Sequence, residues 1–169
     1  MTLKTTLTAA ALAIGFGSAA QANTIVDIAA GDDRFSTLVA AVQAAGLAET
    51  LSGPGPFTVY APLNAAFDAL PEGTVETLLM PENKGQLTDV LLYHVDDRKL
   101  TSHDFAAGAN YYKPLLTSER LCITAYPGVS IADGTGEEAT VVVADIEASN
   151  GVIHVIDKVL LPGDRPACH

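Results

Sequence analysis

The segment at residues 150–162, Asn-Gly-Val-Ile-His-Val-Ile-Asp-Lys-Val-Leu-Leu-Pro, constrains the fold of this 169-residue chain more than any other. Asn150 and Gly151 form a dipeptide that strongly predicts a two-residue turn between antiparallel strands. The run after it is rich in β-branched residues, so it predicts a strand. His154 and Asp157 stand within that run, and they have either a chemical or a structural role.

The strand-rich character extends over the second half of the chain. Strands are predicted for the β-branched and aromatic runs at residues 111–117, 120–126, 129–132, 139–146 and 152–161. The first half has apolar residues at spacings of three and four, which predict helices at residues 24–30, 35–46, 64–70, 74–80 and 84–94. It also has one predicted strand, at residues 57–61. A helical half followed by a strand-rich half predicts an α+β domain.

The first 22 residues have the pattern of a cleaved secretory signal. Lys4 precedes an apolar run at residues 7–16, and an Ala-x-Ala cleavage site follows at residues 20–22. The run is too short to span a bilayer, so no membrane span is predicted. The alternative is an ordinary buried helix. Because the signal pattern favours secretion, we expect export, with residues 23–169 forming a single domain in the periplasm or outside the cell.

Cys122 and Cys168 are the only two cysteines of the chain. If the protein is exported, an oxidising compartment favours a disulfide between them. Such a bond would tie the C-terminal tail to a strand in the middle of the domain. Two free thiols are the alternative.

The charge balance excludes some classes of partner. With 20 acidic against 9 basic residues, the formal net charge is −11. Nucleic acids are bound mainly through Lys and Arg contacts with phosphates, so a nucleic-acid partner is not expected. Electrostatic docking on anionic lipid is disfavoured for the same reason.

Four residues have side chains that suit a metal site or an acid/base pair: His94, His154, Asp145 and Asp157. Their spacing matches no metal or catalytic motif, since His-Glu-x-x-His, Cys-x-x-Cys and Gly-x-Ser-x-Gly do not occur. The favoured interpretation is structural: imidazoles that bond to backbone or carboxylate groups and tie helix to sheet. No cofactor and no enzymatic activity are predicted.

Two further segments have a binding and a structural interpretation. The acidic, glycine-rich residues 133–138 could form a calcium loop, but they lack EF-hand ligand spacing, so a solvated hairpin tip is favoured. Tyr111 and Tyr112 suit a protein or ligand surface, and they equally suit a sheet with one covered face.

Three segments in order resemble the signatures of the fasciclin (FAS1) domain family. The first, residues 55–71, has a strand ending in Ala-Pro and then a short helix with Asn64 as its cap and Phe67 facing inward. The second is the Tyr93–His94 pair, and the third is residues 150–162. Leu63 departs from the family pattern, in which a small polar residue is usual.

The resemblance implies a compact β-sheet wedge with helices packed along one side. Asn64, Phe67, Asp145, Asn150, Gly151, His154 and Asp157 are predicted to be structural motif residues. The resemblance also implies binding rather than catalysis: cell adhesion, matrix or biofilm association, and contact with a protein or matrix component on a cell surface. Tyr93, His94, Tyr111 and Tyr112 are the candidate partner-binding residues. Two other hypotheses stay open: a carrier of a small apolar molecule such as a carotenoid, and a metal-dependent enzyme.

Overall fold

The structure, a computed structural model, describes residues 23–168. The predicted signal segment, residues 1–22, lies outside the described residues. The described part contains six α-helices: α1 (Ile25–Ala30), α2 (Ser36–Ala45), α3 (Ala48–Ser52), α4 (Asn64–Asp68), α5 (Thr74–Leu79) and α6 (Lys84–Tyr93). All but the third begin and end within two residues of a helix expected from apolar spacing. No helix in the described part is both long and apolar enough to cross a bilayer.

The strands form one seven-stranded sheet. They are β1 (Phe57–Pro62), β2 (Val95–Asp96), β3 (Gly108–Tyr112), β4 (Leu121–Ala125), β5 (Val129–Ala132), β6 (Glu138–Ala148) and β7 (Gly151–Ile156). Their order in the sheet is β2-β1-β7-β6-β5-β4-β3. The β1–β7 pair is parallel and every other neighbouring pair is antiparallel. The predicted α+β class is confirmed.

Two predicted strands have different bounds in the structure. The run at 111–117 contributes only Tyr111 and Tyr112 to β3, because the chain then turns and the Leu115 N–H bonds to the Val95 carbonyl at 2.7 Å. The run at 152–161 ends as a strand at Ile156. The two-residue strand β2 was too short to predict from its sequence.

Gly151 does not form the hairpin turn, contrary to the sequence prediction. It is the first residue of β7 and lies opposite Ala148, so the connection consists of Ser149 and Asn150. Gly151 also pairs with Phe57 of the parallel strand β1, and a Cβ atom on Gly151 would overlap the Phe57 carbonyl. Glycine is therefore required here by close backbone approach rather than by turn geometry.

Asn150 connects the hairpin to two helices. Its side-chain oxygen accepts a hydrogen bond from the Ile25 N–H at 3.0 Å, at the start of α1. Its amide nitrogen donates to the carbonyls of Leu51 at 2.6 Å and Gly53 at 2.9 Å, at the end of α3. One side chain thus satisfies backbone groups that both helix ends would otherwise leave unpaired.

Asn64 does not cap its own helix, contrary to the prediction from the sequence. The N-cap of α4 is Leu63, whose side chain forms no capping bond. The Asn64 side chain instead accepts a bond from the Thr37 N–H at 3.1 Å and donates to the Asp33 carbonyl at 2.8 Å. It therefore joins α4 to the beginning of α2. Phe67 is buried in the core, as predicted.

The core has two parts, one on each face of the sheet. Alternation along β1 and β7 sends Val59 and Ile153 towards the helices and Tyr60 and Ile156 to the opposite face. All six residues of β7 are buried, as expected for a central strand covered on both sides. The second part includes Leu121 and Ile123 of β4 and Ile131 of β5. Cys122 and Cys168 form a disulfide with Cα atoms 5.4 Å apart, which confirms the predicted pairing.

Candidate functional site

His94 lies at the C-terminal end of α6 and is 2% exposed. Its Nδ1 donates to the Val90 carbonyl at 2.7 Å, and its Nε2 accepts from the Leu160 N–H at 2.8 Å. Burial lowers the pKa of His94 to about 4, although the Val90 bond and the charge of Asp133 act in the opposite direction. Both ring nitrogens are used internally, so this imidazole has no free atom for a metal or a substrate.

His154 is fully buried in β7 and also uses both ring nitrogens. Its Nε2 donates to the Leu100 carbonyl at 2.6 Å, and its Nδ1 accepts from the backbone N–H of Asp145 at 3.3 Å. Burial lowers the pKa of His154, which favours the neutral ring. The contact with Asp145 therefore involves a backbone amide and not a carboxylate, unlike a catalytic His–Asp pair.

The Asp145 carboxylate bonds to Ser102. It accepts hydrogen bonds from the Ser102 N–H at 2.7 Å and from the Ser102 hydroxyl at 2.5 Å. Partial burial opposes ionisation, but these two bonds hold the pKa of Asp145 below its usual value. Asp145 has a left-handed backbone, with φ of 59°, within the irregular part of β6. It thus ties the loop before β3 to the sheet.

Asp157 and Asp133 also have structural bonding. Asp157 is exposed and accepts from the Thr140 N–H at 2.7 Å. Asp133, at the β5–β6 turn, is buried and accepts from the N–H groups of Thr135 at 2.8 Å, Glu137 at 3.2 Å and Leu161 at 2.9 Å. The 133–138 segment is a hairpin turn, but its first carboxylate is buried rather than solvated.

Within residues 23–168, no group of three or more His, Cys, Asp or Glu side chains could hold a metal ion.

Tyr93 and His94 are neighbours in sequence and both lie in the interior. Tyr93 is fully buried, and its hydroxyl donates to the Arg120 carbonyl at 2.8 Å, just before β4. Burial raises the pKa of Tyr93 above its usual value. Neither side chain of the pair lies on the surface, so a partner would sense them only through the segments that they position.

Tyr111 and Tyr112 are the candidates closest to solvent. Tyr111 is 41% exposed, whereas Tyr112 is half-buried and packs edge-on against Phe105, with ring centroids 5.4 Å apart. The Arg165 guanidinium lies 4.1 Å from the centroid of the Tyr111 ring. The Tyr111 hydroxyl donates to the Pro166 carbonyl at 2.9 Å. The C-terminal tail therefore fixes Tyr111 in a partly exposed position.

Sequence patterns did not point to two further residues, Arg98 and Tyr60. Arg98 forms a two-point ion pair with the buried carboxylate of Asp96, at 2.6 and 2.8 Å. Tyr60 is fully buried beside the His154 ring, and its hydroxyl has no hydrogen-bond partner in the described part of the chain. Burial raises the pKa of Tyr60. No spacing signal identifies these residues, because their contacts join distant segments.

A small apolar cavity lies between α1, α2 and the sheet. Its volume is about 30 Å³, and Ala29, Val39, Val42, Val59 and Leu91 are among the residues that line it. Nearly all of its surface is hydrocarbon. This volume is that of a single water-sized space, so the cavity as it stands is far smaller than a carotenoid.

The chain matches known proteins over most of its length. The model of the Fasciclin domain matches residues 33–162. Protein sll1483 of Synechocystis sp. is 52% identical over 143 residues, which is 83% of this chain and 74% of that protein. The uncharacterized protein sll1735 of Synechocystis sp. is 45% identical over 139 residues, 82% of this chain and 98% of that protein.

A solved structure has the same fold. It is a FAS1 domain pair from the insect cell adhesion molecule Fasciclin I, with a TM-score of 0.70 and 20% identity. The match covers 82% of this chain and 51% of that chain. This likeness confirms the FAS1-type α+β fold, a curled seven-stranded sheet with helices. Since the Fasciclin domain model also spans most of the sequence, the chain belongs to the fasciclin family.

Proposed function

We propose that this protein is an exported, non-catalytic binding module that attaches to a protein or matrix component on a cell surface. The observation that carries the proposal is its membership of the fasciclin family, a family of adhesion and matrix-binding domains in animals. The structurally similar FAS1 pair comes from a cell adhesion molecule. Fold likeness alone does not assign function, so the site must support it too.

The bonding of the titratable side chains favours binding over catalysis. A general acid or base needs a ring nitrogen or carboxylate within reach of a substrate. His94 and His154 have both ring nitrogens bonded to the backbone in the interior. The Asp145 carboxylate is bonded to Ser102. These groups stabilise the scaffold on which a binding surface is displayed.

Export is supported by the disulfide between Cys122 and Cys168. Disulfides persist in the periplasm and outside the cell, whereas the cytosol keeps most thiols reduced. Fractionation of the producing cells tests this part of the proposal. Recovery of the reduced protein in the cytosol would contradict it.

The binding surface proposed for the module centres on Tyr111, whose neighbour Tyr112 packs against Phe105. A partly exposed aromatic ring held in one orientation is typical of residues that contribute strongly to interfaces. Tyr93 and His94 act indirectly in this proposal, because they position the segments around Arg120 and Leu160.

The experiment measures retention of producing cells, and of their isolated matrix, on a surface coated with the purified protein. The wild-type protein should retain them, and Tyr111→Ala should retain clearly fewer. Tyr126→Ala is the matched control, because Tyr126 is an exposed tyrosine on the β4–β5 turn. Failure of the wild-type protein to retain cells or matrix would reject the proposal.

Carriage of a small apolar molecule is the second candidate function, and the hydrocarbon-lined cavity beneath α1 favours it. A ligand larger than the cavity requires an element that lines it to move outward, and the six-residue helix α1 is one of these elements. The test is incubation with a carotenoid followed by gel filtration. Visible absorbance that elutes with the protein supports carriage, and its absence removes this candidate.

A further inference from the structure

The two ends of the sheet approach each other and leave a seam. The edge strands are β2 and β3, and the segment after β3 returns to β2. There the Leu115 N–H donates to the Val95 carbonyl at 2.7 Å, which nearly closes the sheet on itself. Beside this bond lies an open cleft of about 300 Å³. Its lining includes Asp97, Arg98, Tyr111, Lys113, Leu115 and Thr117; we call it the seam cleft.

The guanidinium of Arg98 has a fixed orientation in the seam cleft. Its Nε and Nη2 atoms donate to the carboxylate of Asp96, whose side chain is only 1% exposed. Two of the five guanidinium N–H groups are used in this way. Half of the Arg98 side chain is exposed, so the remaining donors are accessible while the ion pair is kept.

The seam cleft also concentrates cations on an otherwise acidic protein. Lys113 is exposed, and within residues 23–168 no carboxylate lies within 4 Å of its ammonium group. Arg165 lies over Tyr111, which is one of the residues that line the cleft. Asp97 is the opposing charge in the lining. The cleft therefore suits a ligand that offers a negative group to Lys113 and Arg98, and hydroxyl donors to Asp97.

The aromatic ring of Tyr111 provides a flat surface whose orientation is already fixed before a ligand binds. Arg165 covers one side of the ring, and the hydroxyl is bonded to the Pro166 carbonyl. The tail that carries both residues is joined by Cys168 to Cys122, the residue opposite Tyr111 in the β3–β4 register. Preorganised groups bind more tightly because less freedom is lost on association.

We propose that the seam cleft binds a carboxylate-bearing sugar, the uronic acid unit of an acidic polysaccharide. The sugar ring packs on Tyr111, and its carboxylate lies between Lys113 and Arg98. Guanidinium and ammonium groups match a carboxylate in charge and geometry. Asp97 and Thr117 supply hydrogen-bond partners for sugar hydroxyls. This proposal rests on the proposed matrix-binding function and names its ligand class.

An acidic peptide fits the cleft less well. Peptides that bind at a sheet edge do so by pairing as an additional strand. At the seam, the Leu115 N–H already bonds to Val95 of β2, so a continuous edge is not free for pairing.

The test is calorimetric titration of the purified protein with trigalacturonate and, as the neutral match, with trigalactose. Trigalacturonate should bind at least about tenfold more tightly, because hydrogen bonds to charged groups are worth more than neutral ones. Lys113→Glu should weaken trigalacturonate binding at least about tenfold. Lys84→Glu, at an exposed lysine on α6, should leave the affinity unchanged.

Three results would overturn the proposal: equal affinity for the two sugars, unchanged affinity in Lys113→Glu, or equally tight binding of a triglutamate peptide. Circular dichroism of Lys113→Glu establishes that the variant is folded. If the protein retains matrix but does not bind trigalacturonate, only the sugar proposal fails. If it binds trigalacturonate but retains no cells or matrix, the proposed function fails instead.

Discussion

The Nε2 atom of His94 accepts a hydrogen bond from the backbone N–H of Leu160, 66 residues farther along the chain. A backbone amide can only donate, so Nε2 carries no proton and the ring is neutral. The bond joins α6 to the segment that follows β7. A residue that looks suited to chemistry in the sequence is therefore a buried connection between helix and sheet.

Acid should destabilise the fold through its buried histidines. Burial lowers the pKa of His94 from 6.5 to about 4, so between these pH values the unfolded chain binds a proton that the folded chain excludes. The free energy of unfolding should fall as the pH is lowered through this interval, by up to about 3 kcal/mol for His94. Burial also lowers the pKa of His154, which adds to the effect. Urea unfolding at pH 7, 6 and 5 measures it.

His94→Gln provides the control, because it removes one titrating group. This variant should be less stable at pH 7 but should lose less stability between pH 7 and pH 5. The bonded carboxylate of Asp145 has a lowered pKa, so its contribution is lost only in more acidic solution. The same pH dependence in both proteins would show that His94 is not the group responsible.

Gly151→Ala should destabilise the protein by at least about 2 kcal/mol, because the new methyl group meets backbone atoms of Phe57 that cannot move independently of β1. Gly85→Ala is the matched control. Gly85 lies in α6 with open space around it, so alanine there should be neutral or stabilising by up to about 1 kcal/mol. Thermal unfolding compares the two. A Gly151→Ala variant as stable as wild type would contradict the close approach of β1 and β7.

Asp133→Ala should cost about 3 kcal/mol of unfolding free energy. The substitution leaves the N–H groups of Thr135, Glu137 and Leu161 without their carboxylate acceptor at a site where Asp133 itself is buried. Asp157→Ala is the control, since that exposed carboxylate accepts a single hydrogen bond, and it should cost less than about 1 kcal/mol. Similar losses in the two variants would mean that Asp133 has no special role.

Removal of the disulfide should lower stability and release the tail. The linked cysteines are 46 residues apart, for which the chain-entropy model gives about 4 kcal/mol. The double variant Cys122→Ala and Cys168→Ala should show a loss of this order in urea unfolding. Alkylation of the wild-type protein should change its mass only after reduction. Alkylation without reduction would show that the two thiols are free.

The helices and most strands follow from local patterns, because apolar spacing and β-branched runs reflect which face of an element is buried. The Asn150–Gly151 pair shows the limit of such patterns. The pair correctly predicts the hairpin, but it places the turn one residue too late. The position of Gly151 is decided by the backbone of β1, which is distant in the sequence and adjacent in the sheet.

The sequence by itself determined the family, the α+β class and the order of helices and strands, since these depend on motifs and on short-range periodicity. Only the tertiary structure decided the roles of the polar residues. His94 and His154 are buried connections, Asp145 bonds to a loop, and Arg98, Lys113 and Tyr111 meet in one cleft. The physical reason is that curling of the sheet brings β2 and β3 together, and no local pattern encodes that approach.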